Sequence, residues 1–419
     1  MCRAPFFVQF LHVIIFLKHQ KVKTIKQTIL LAYGLILSTV IGIIAAAFLV
    51  LEGELSELVW MSDNHLVEIA LVIIGSALLY FLLKRWPDLP KTTHDSVAEL
   101  KATQTIDYQD VFKNLLVTLV ILSFGAGVGP EAALLSAIIS LSIWQADNLR
   151  YFYFQYDELK QLPLHETLQR LFNPFKYRQK YDEKKAIKTP AILRWKKLLY
   201  LVFIINGIFA FYFLVKQTDQ PSFILKLGQT NWTWNQLWVL PILVIGGYVI
   251  GWIGNFIGKL FKQGLQNLNL SLLTKIILGA VGIILVSYLA PDLLFSGQHS
   301  LHLLIEDWSN KSAAYLALMA VLKLLFLMWC LNLNWRGGDI FPVTFAAMAA
   351  GFAAAMLLPS IDKLLVVSIT ATAIMSELAS PIVAGIFVML FFPIQLSPII
   401  ILVAAIFFLK NKYLPKLAR

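Results

Sequence analysis

Charge is scarce in these 419 residues: only 14% are Asp, Glu, Lys or Arg, against about 25% in ordinary globular chains. With 58% AVILMFWYC and a mean hydropathy of +0.73, that shortage excludes a soluble globular protein. Cysteine is nearly missing, and the two present, Cys2 and Cys330, can build neither a disulfide framework nor a zinc cage. There is no HExxH, no GxxxxGK[ST], no G-x-S-x-G and no cluster of His and Cys, so nothing calls for a metal or a cofactor, and none is expected. The apolar stretches run on without the apolar/polar alternation of barrel strands, which excludes a transmembrane barrel.

What remains is helix. The clearest apolar runs are approximately 28–51, 65–83, 112–124, 197–215, 236–258, 273–290, 313–331, 341–358, 363–375, 379–393 and 396–409. They define an all-α polytopic membrane protein. Several are too short to cross a core of about 30 Å at about 1.5 Å per residue, and so predict broken half-helices that stop inside the membrane. Such breaks are tolerated where the freed backbone is buried in protein or lines a wet cavity.

The net charge of +11 would raise nucleic acid as a partner in a soluble chain, but position decides otherwise. Basic residues gather before Lys26, from Lys176 to Lys197 and from Lys410 to Arg419, the pattern of cytoplasmic flanks; both termini are expected in the cytoplasm of a cell-membrane protein. A loop from Leu51 to Asn64, with Glu52, Glu54, Glu57 and Asp63 and no Lys or Arg, fits the opposite face. The expected organisation is a basic and apolar extension over 1–27, which lacks a small-residue cleavage site, and a first membrane repeat over 28–215. A linker over 216–235, a second repeat over 236–410 and a basic tail over 411–419 follow. The first repeat carries a polar insertion over 147–196, rich in Lys and Arg.

Two breaks occupy corresponding places in the two halves. One reads Gly125-Ala126-Gly127-Val128-Gly129-Pro130-Glu131 and the other Arg336-Gly337-Gly338-Asp339-Ile340-Phe341-Pro342. Interrupted segments paired in this way point to inverted repeats with a site between them. Each break opens a helix, whose first N–H groups are unpaired and carry about half a positive charge, while glycine lets a ligand approach. Such an end binds an anion without the desolvation cost of a buried Lys or Arg. Glu131, opening one such helix, could sit in an anion site when ionised and leave when protonated: a competitive gate. The plainer alternatives are that the glycines only let helices pack and turn, and that Glu131 only caps its helix.

These residues resemble the CLC chloride channels and chloride/proton antiporters. The family's first anion loop usually reads GREGP. Here GAGVGPEAA is similar to the variant that runs GPEAP, with Gly129, Pro130, Glu131, Ala132 and Ala133 at the motif positions and Glu131 as the gate. The second loop, GGIFAP in the family, is similar to Gly337 through Pro342, with Ile340 on the Phe position and Asp339 on the residue before it. Over roughly 28–410 the resemblance implies an inverted-repeat CLC-like fold in which each subunit of a homodimer owns a pore. It places the backbone of Gly129, Pro130, Ala132, Gly338, Asp339, Ile340 and Phe341 at the anion. The third loop, GSGIP, falls on Lys91 to Glu99 without its glycines, leaving Thr93 or Ser96 as candidate pore hydroxyls; Tyr413 is the candidate pore tyrosine. His94 reads as a solvated cap residue.

Exchange for protons would need a second carboxylate, at a place the resemblance puts near Lys216 and Gln217. Neither relays a proton as a carboxylate does. The expectation is therefore transport of a small anion, chloride first, by passive conduction; chloride/proton exchange, or a fluoride-selective relative, is the alternative. An intramembrane lipid-modifying enzyme using Glu131 or Asp339 as base, and a purely structural subunit, are the rivals from other classes. Lys323 and Glu377 stand in apolar runs, where a role in transport is the default expectation; the structural alternative puts Glu377 at a turn between two broken helices, near water, with Lys323 snorkelling or pairing with it. Trp232, Trp234, Trp238 and Trp252 read as an interfacial belt.

Overall fold

The computed structural model describes residues 21–62, 64–173, 175–182, 190–218 and 224–414. Cys2 and most of the 1–27 extension, the middle of the polar insertion, Asp219 and the last residues of the basic tail lie outside the described residues. The helices are α1 Lys21–Val59, α2 His65–Arg85, α3 Thr93–Thr103, α4 Val111–Ser123, α5 Glu131–Phe154, α6 Tyr156–Leu159, α7 Leu164–Leu171 and α8 Pro190–Val215. The second half continues with α9 Val239–Asn267, α10 Leu272–Leu289, α11 Gln298–Asp307, α12 Ala313–Asn332 and α13 Ile340–Leu357. It closes with α14 Lys363–Leu378, α15 Pro381–Phe391 and α16 Ser397–Tyr413. Among the described residues nine helices are long and apolar enough to cross a membrane.

One expectation is corrected at α1. Its 39 residues carry straight through the acidic stretch, so Glu52, Glu54 and Glu57 are helical and the turn toward Asn64 is short. Glutamate is a good helix former, and a chain that has left the hydrocarbon keeps its helix where side chains are solvated. The short runs do become short helices: α4 has 13 residues, α14 has 16 and α15 has 11.

The chain forms two compact units that interleave in sequence: one comprises 1–54, 88–119 and 132–220, the other 55–87, 120–131 and 221–419. In the first, Tyr33, Leu37, Leu149, Phe152, Leu171 and Phe203 make the core of α1, α5, α7 and α8. Polar side chains tie these helices together, as expected where apolar lipid gives no preference for apolar contacts. Asn206 Nδ2 donates to Leu35 O at 2.9 Å and to Ser38 Oγ at 2.8 Å, and Gln145 Nε2 donates to Gly34 O at 2.8 Å. The insertion is anchored on the last turns of α5, where Arg150 pairs with Asp147 and donates to Gln179 O at 2.8 Å.

In the second unit α14 is the axis: every residue from Leu365 to Ser376 is buried. The facing helix α9 offers small residues there, since a Cβ on Gly247 would meet Ala373 Cβ at 2.5 Å. Close helix approach through small residues is the usual membrane solution. At α10, Trp335 donates from Nε1 to Ile276 O at 3.1 Å and Trp329 to Leu278 O at 3.0 Å, which seats both rings against Gly279 and Gly282.

Candidate anion site

The site is built inside the second unit from the two interrupted segments. After α4, every residue of 121–130 is buried, as irregular backbone at membrane depth requires. Gly125 takes φ +86°, where an L side chain would be strained, and a Cβ there would also strike Trp60, whose Nε1 donates to Ser123 O at 3.1 Å. Gly127 N–H donates to the thiol sulfur of Cys330 at 3.3 Å.

The two loops then join. Gly129 N–H donates to Gly338 O at 2.8 Å and Gly338 N–H to Gly129 O at 2.7 Å, the only β-bridge among the described residues. A Cβ built on either glycine would collide with the carboxyl of Glu131, so the two glycines are what lets that carboxyl lie where it does.

Glu131 opens α5 and reaches across the bridge to the start of α13. Its Oε1 accepts from Ile340 N–H at 2.6 Å and from Phe341 N–H at 3.3 Å. Those amides begin a helix and have no partner within it, and the dipole adds to their attraction for negative charge. Hydrogen bonds to a charged group contribute about 1.5–3 kcal/mol each, so this carboxylate seat is a strong one. The other oxygen, Oε2, is buried and has no hydrogen-bond partner among the described residues. The carboxyl is therefore held by two main-chain amides at the start of α13. Asp339 precedes α13 and is exposed, its carbonyl accepting from Val343 N–H at 3.0 Å.

The other predicted residues are placed as follows. Pro130 is buried within the first loop. Thr93 Oγ1 donates to Ala132 O at 3.2 Å, and Ser96, fully buried, shares a 2.6 Å hydrogen bond with Ser136, so both candidate hydroxyls are engaged by the first turns of α5. The helix start they belong to is capped by Thr92 and Asp95 in a reciprocal box. Tyr413 is 67% exposed at the end of α16 beside Lys412; a tyrosine so exposed is not gathered into the protein interior as a pore hydroxyl. Lys216 and Gln217 are exposed just past α8.

Glu377 stands at the end of α14, at the turn into α15, as one of its expected placements had it, but the expected pairing with Lys323 does not form. Lys323, fully buried, neither snorkels nor pairs with Glu377: its Nζ donates to Leu293 O at 2.8 Å and Phe295 O at 2.7 Å. Glu377 instead pairs with Lys410, which also lies 4.3 Å from the ring centroid of Tyr248. A buried ammonium needs acceptors rather than a countercharge as such, and carbonyls freed by a helix end supply them. Sequence reading also missed the Gly129–Gly338 bridge and the Cys330 acceptor; the paired glycines were the one available signal for the first.

In this polytopic helical protein one interrupted segment brings an acidic side chain onto two main-chain amides of the other, the arrangement of a membrane anion transport protein. The model of the voltage gated chloride channel family matches residues 194–409, just over half of the chain, and the chain belongs to that family. Its fold is that of CLC transporters. A slow cyanobacterial Cl-/H+ antiporter of known crystal structure superposes with a TM-score of 0.65 at 17% identity, covering 93% of this chain and 99% of that one. A CLC-type fluoride/proton antiporter gives 0.60 at 15%, covering 94% and 98%. A eukaryotic CLC transporter gives 0.54 at 14%, covering 90% of this chain and 71% of its own. No curated protein matches the chain.

Proposed function

We propose that this protein passes a small anion, chloride first, across the bilayer over the N-terminus of α13, with Glu131 as the gate that competes for the anion's seat. The observation that carries the reading is the pair of hydrogen bonds from Ile340 and Phe341 N–H to Glu131 Oε1. A ligand that accepts from those amides must displace the carboxylate, and protonation releases it. Gly129, Pro130, Ala132, Gly338 and Asp339 shape the seat through their backbone; Thr93 and Ser96 hold the first turns of the gate helix. In this reading no cofactor takes part, the protein is not an enzyme, both termini face the cytoplasm, and two copies form a homodimer with one pore each.

Passive conduction is the first form of the proposal, supported by Lys216 and Gln217, neither of which relays a proton as a carboxylate does. Proton-coupled exchange is the second, supported by the likeness in fold to proteins described as Cl-/H+ and fluoride/proton antiporters. Purified protein in liposomes, under fixed chloride and pH gradients, separates them. Under passive conduction the reversal potential follows chloride alone; a displacement by the pH gradient of the size fixed stoichiometry demands overturns conduction in favour of exchange. Absence of any anion flux overturns both, and repeating the measurement with fluoride, bromide and nitrate identifies the preferred ion.

A further inference from the structure

In the second unit a cavity of about 410 Å³ lies between the last turns of α9, the first turn of α10 and the end of α12. Three cations line it, Lys262, Lys275 and Arg336, together with the carboxamides of Gln266, Asn332 and Asn334, and no carboxylate does. Among the described residues the side chains of Lys262, Lys275 and Arg336 make no ion pair and no hydrogen bond. Asp339, the acid closest to Arg336 in sequence, is not part of the lining.

Three like charges facing one concavity repel, and nothing in the protein wall offsets them. Helix dipoles do not account for the arrangement, since Lys275 stands in the first turn of α10, where the dipole already presents its positive end. The volume falls within the roughly 300–1,000 Å³ of small-molecule sites and is about fourteen times the ~30 Å³ share of one water. A halide would not fill it. The cavity also lies at the ends of two candidate spans, Val239–Asn267 and Leu272–Leu289, and its lining includes the apolar Leu265 and Leu331. A basic, carboxamide-lined hollow at the ends of apolar spans is complementary to a phosphate group, free or carried on acyl chains.

We propose that this cavity binds a phosphate-bearing anion, through charge-assisted hydrogen bonds from Lys262, Lys275 and Arg336 and further ones from the three carboxamides. The phosphate can come from a phospholipid headgroup or from a soluble phosphate; the recognition chemistry is the same. Arg336 immediately precedes Gly337 and Gly338, so an occupant there touches the segment that carries one side of the glycine bridge.

The test uses the full chain, purified in a neutral detergent, with thermal unfolding and native mass spectrometry as readouts independent of transport. The probes are phosphatidylglycerol, phosphatidylcholine and inorganic phosphate; the variants are Lys262→Gln, Lys275→Gln and Arg336→Gln, singly and together, with the exposed Lys412→Gln as a charge control. Phosphatidylglycerol retained in preference to phosphatidylcholine, and about tenfold or more weaker in each single variant but not in the control, supports the proposal and makes lipid the source. The same dependence for inorganic phosphate supports it and makes the source soluble. Binding of both probes by the cavity variants as tightly as by the parent, or no binding of either by the parent, overturns it. The single variants keep the test decisive if the triple variant does not fold.

Discussion

Gly129 and Gly338, from opposite halves of the chain, exchange both of their backbone hydrogen bonds, at 2.8 and 2.7 Å, and the carboxyl of Glu131 lies against both of them. Each half thus completes the other: the first brings the acid, the second brings the helix end that receives it. Neither loop alone encloses the seat.

Replacing Glu131 by Gln keeps the shape of the side chain and removes the charge that competes with the anion. Anion flux from liposomes is expected to rise or lose its regulation, and its pH dependence to flatten. A variant whose flux keeps the parent's pH profile would remove Glu131 from gating.

Gly338→Ala tests the same seat from the opposite wall. The added methyl overlaps the Glu131 carboxyl, so the acid can no longer settle on Ile340 and Phe341. The expected phenotype copies Glu131→Gln, a flattened flux-versus-pH curve, with the helical circular dichroism retained. Gly129→Ala should behave alike. A sharp, parent-like pH response in either variant would show that the carboxyl has another resting place.

Lys323→Met probes a structural charge. The ammonium answers the carbonyls of Leu293 and Phe295, and a thioether leaves both buried without a donor. Each orphaned buried acceptor costs about 1–3 kcal/mol, so a loss of about 2–6 kcal/mol is expected for the two. Thermal unfolding in detergent reads it directly. An unchanged midpoint would mean that other groups satisfy those carbonyls.

Much of this was written locally. Glycine and proline mark the two breaks, and the run of small and apolar residues after each marks a helix that starts inside the membrane. The class of fold and the residue that opens α5 follow from those features. Long-range pairing is a different matter. The Gly129–Gly338 bridge depends on where two distant segments are delivered by their helices, and no periodicity encodes that. Opposite charges in apolar runs suggest that Lys323 pairs with Glu377, whereas the fold gives the ammonium carbonyl acceptors at the turn after α10. At the acidic end of α1 hydropathy falls but helix propensity does not, so the helix runs on. Residue type alone cannot place a tyrosine in a pore, and Tyr413 is exposed.

Outside the spans, Lys91 gives a prediction with a definite sign. Its Nζ lies 2.9 Å from Glu99 Oε2, just ahead of α3. Partial burial works against the ammonium, but the hydrogen bond and charge of Glu99, together with the charges of Asp110 and Asp107, outweigh it and hold the pKa above the ordinary lysine value of 10.5. A cation whose pKa is higher folded than unfolded contributes its full stabilisation below the unfolded value, and loses it as pH rises through the folded one. The pair's contribution is therefore flat through neutral pH and fades above about pH 10.5. Pairs this accessible are worth about 0–1 kcal/mol, so in a series from neutral pH to above the lysine range Lys91→Met should lower the unfolding midpoint slightly and evenly through neutral pH, with the gap to the parent closing only above about pH 10.5. A gap of constant size across the whole range would assign the effect to the packing of the Lys91 stem instead of its charge.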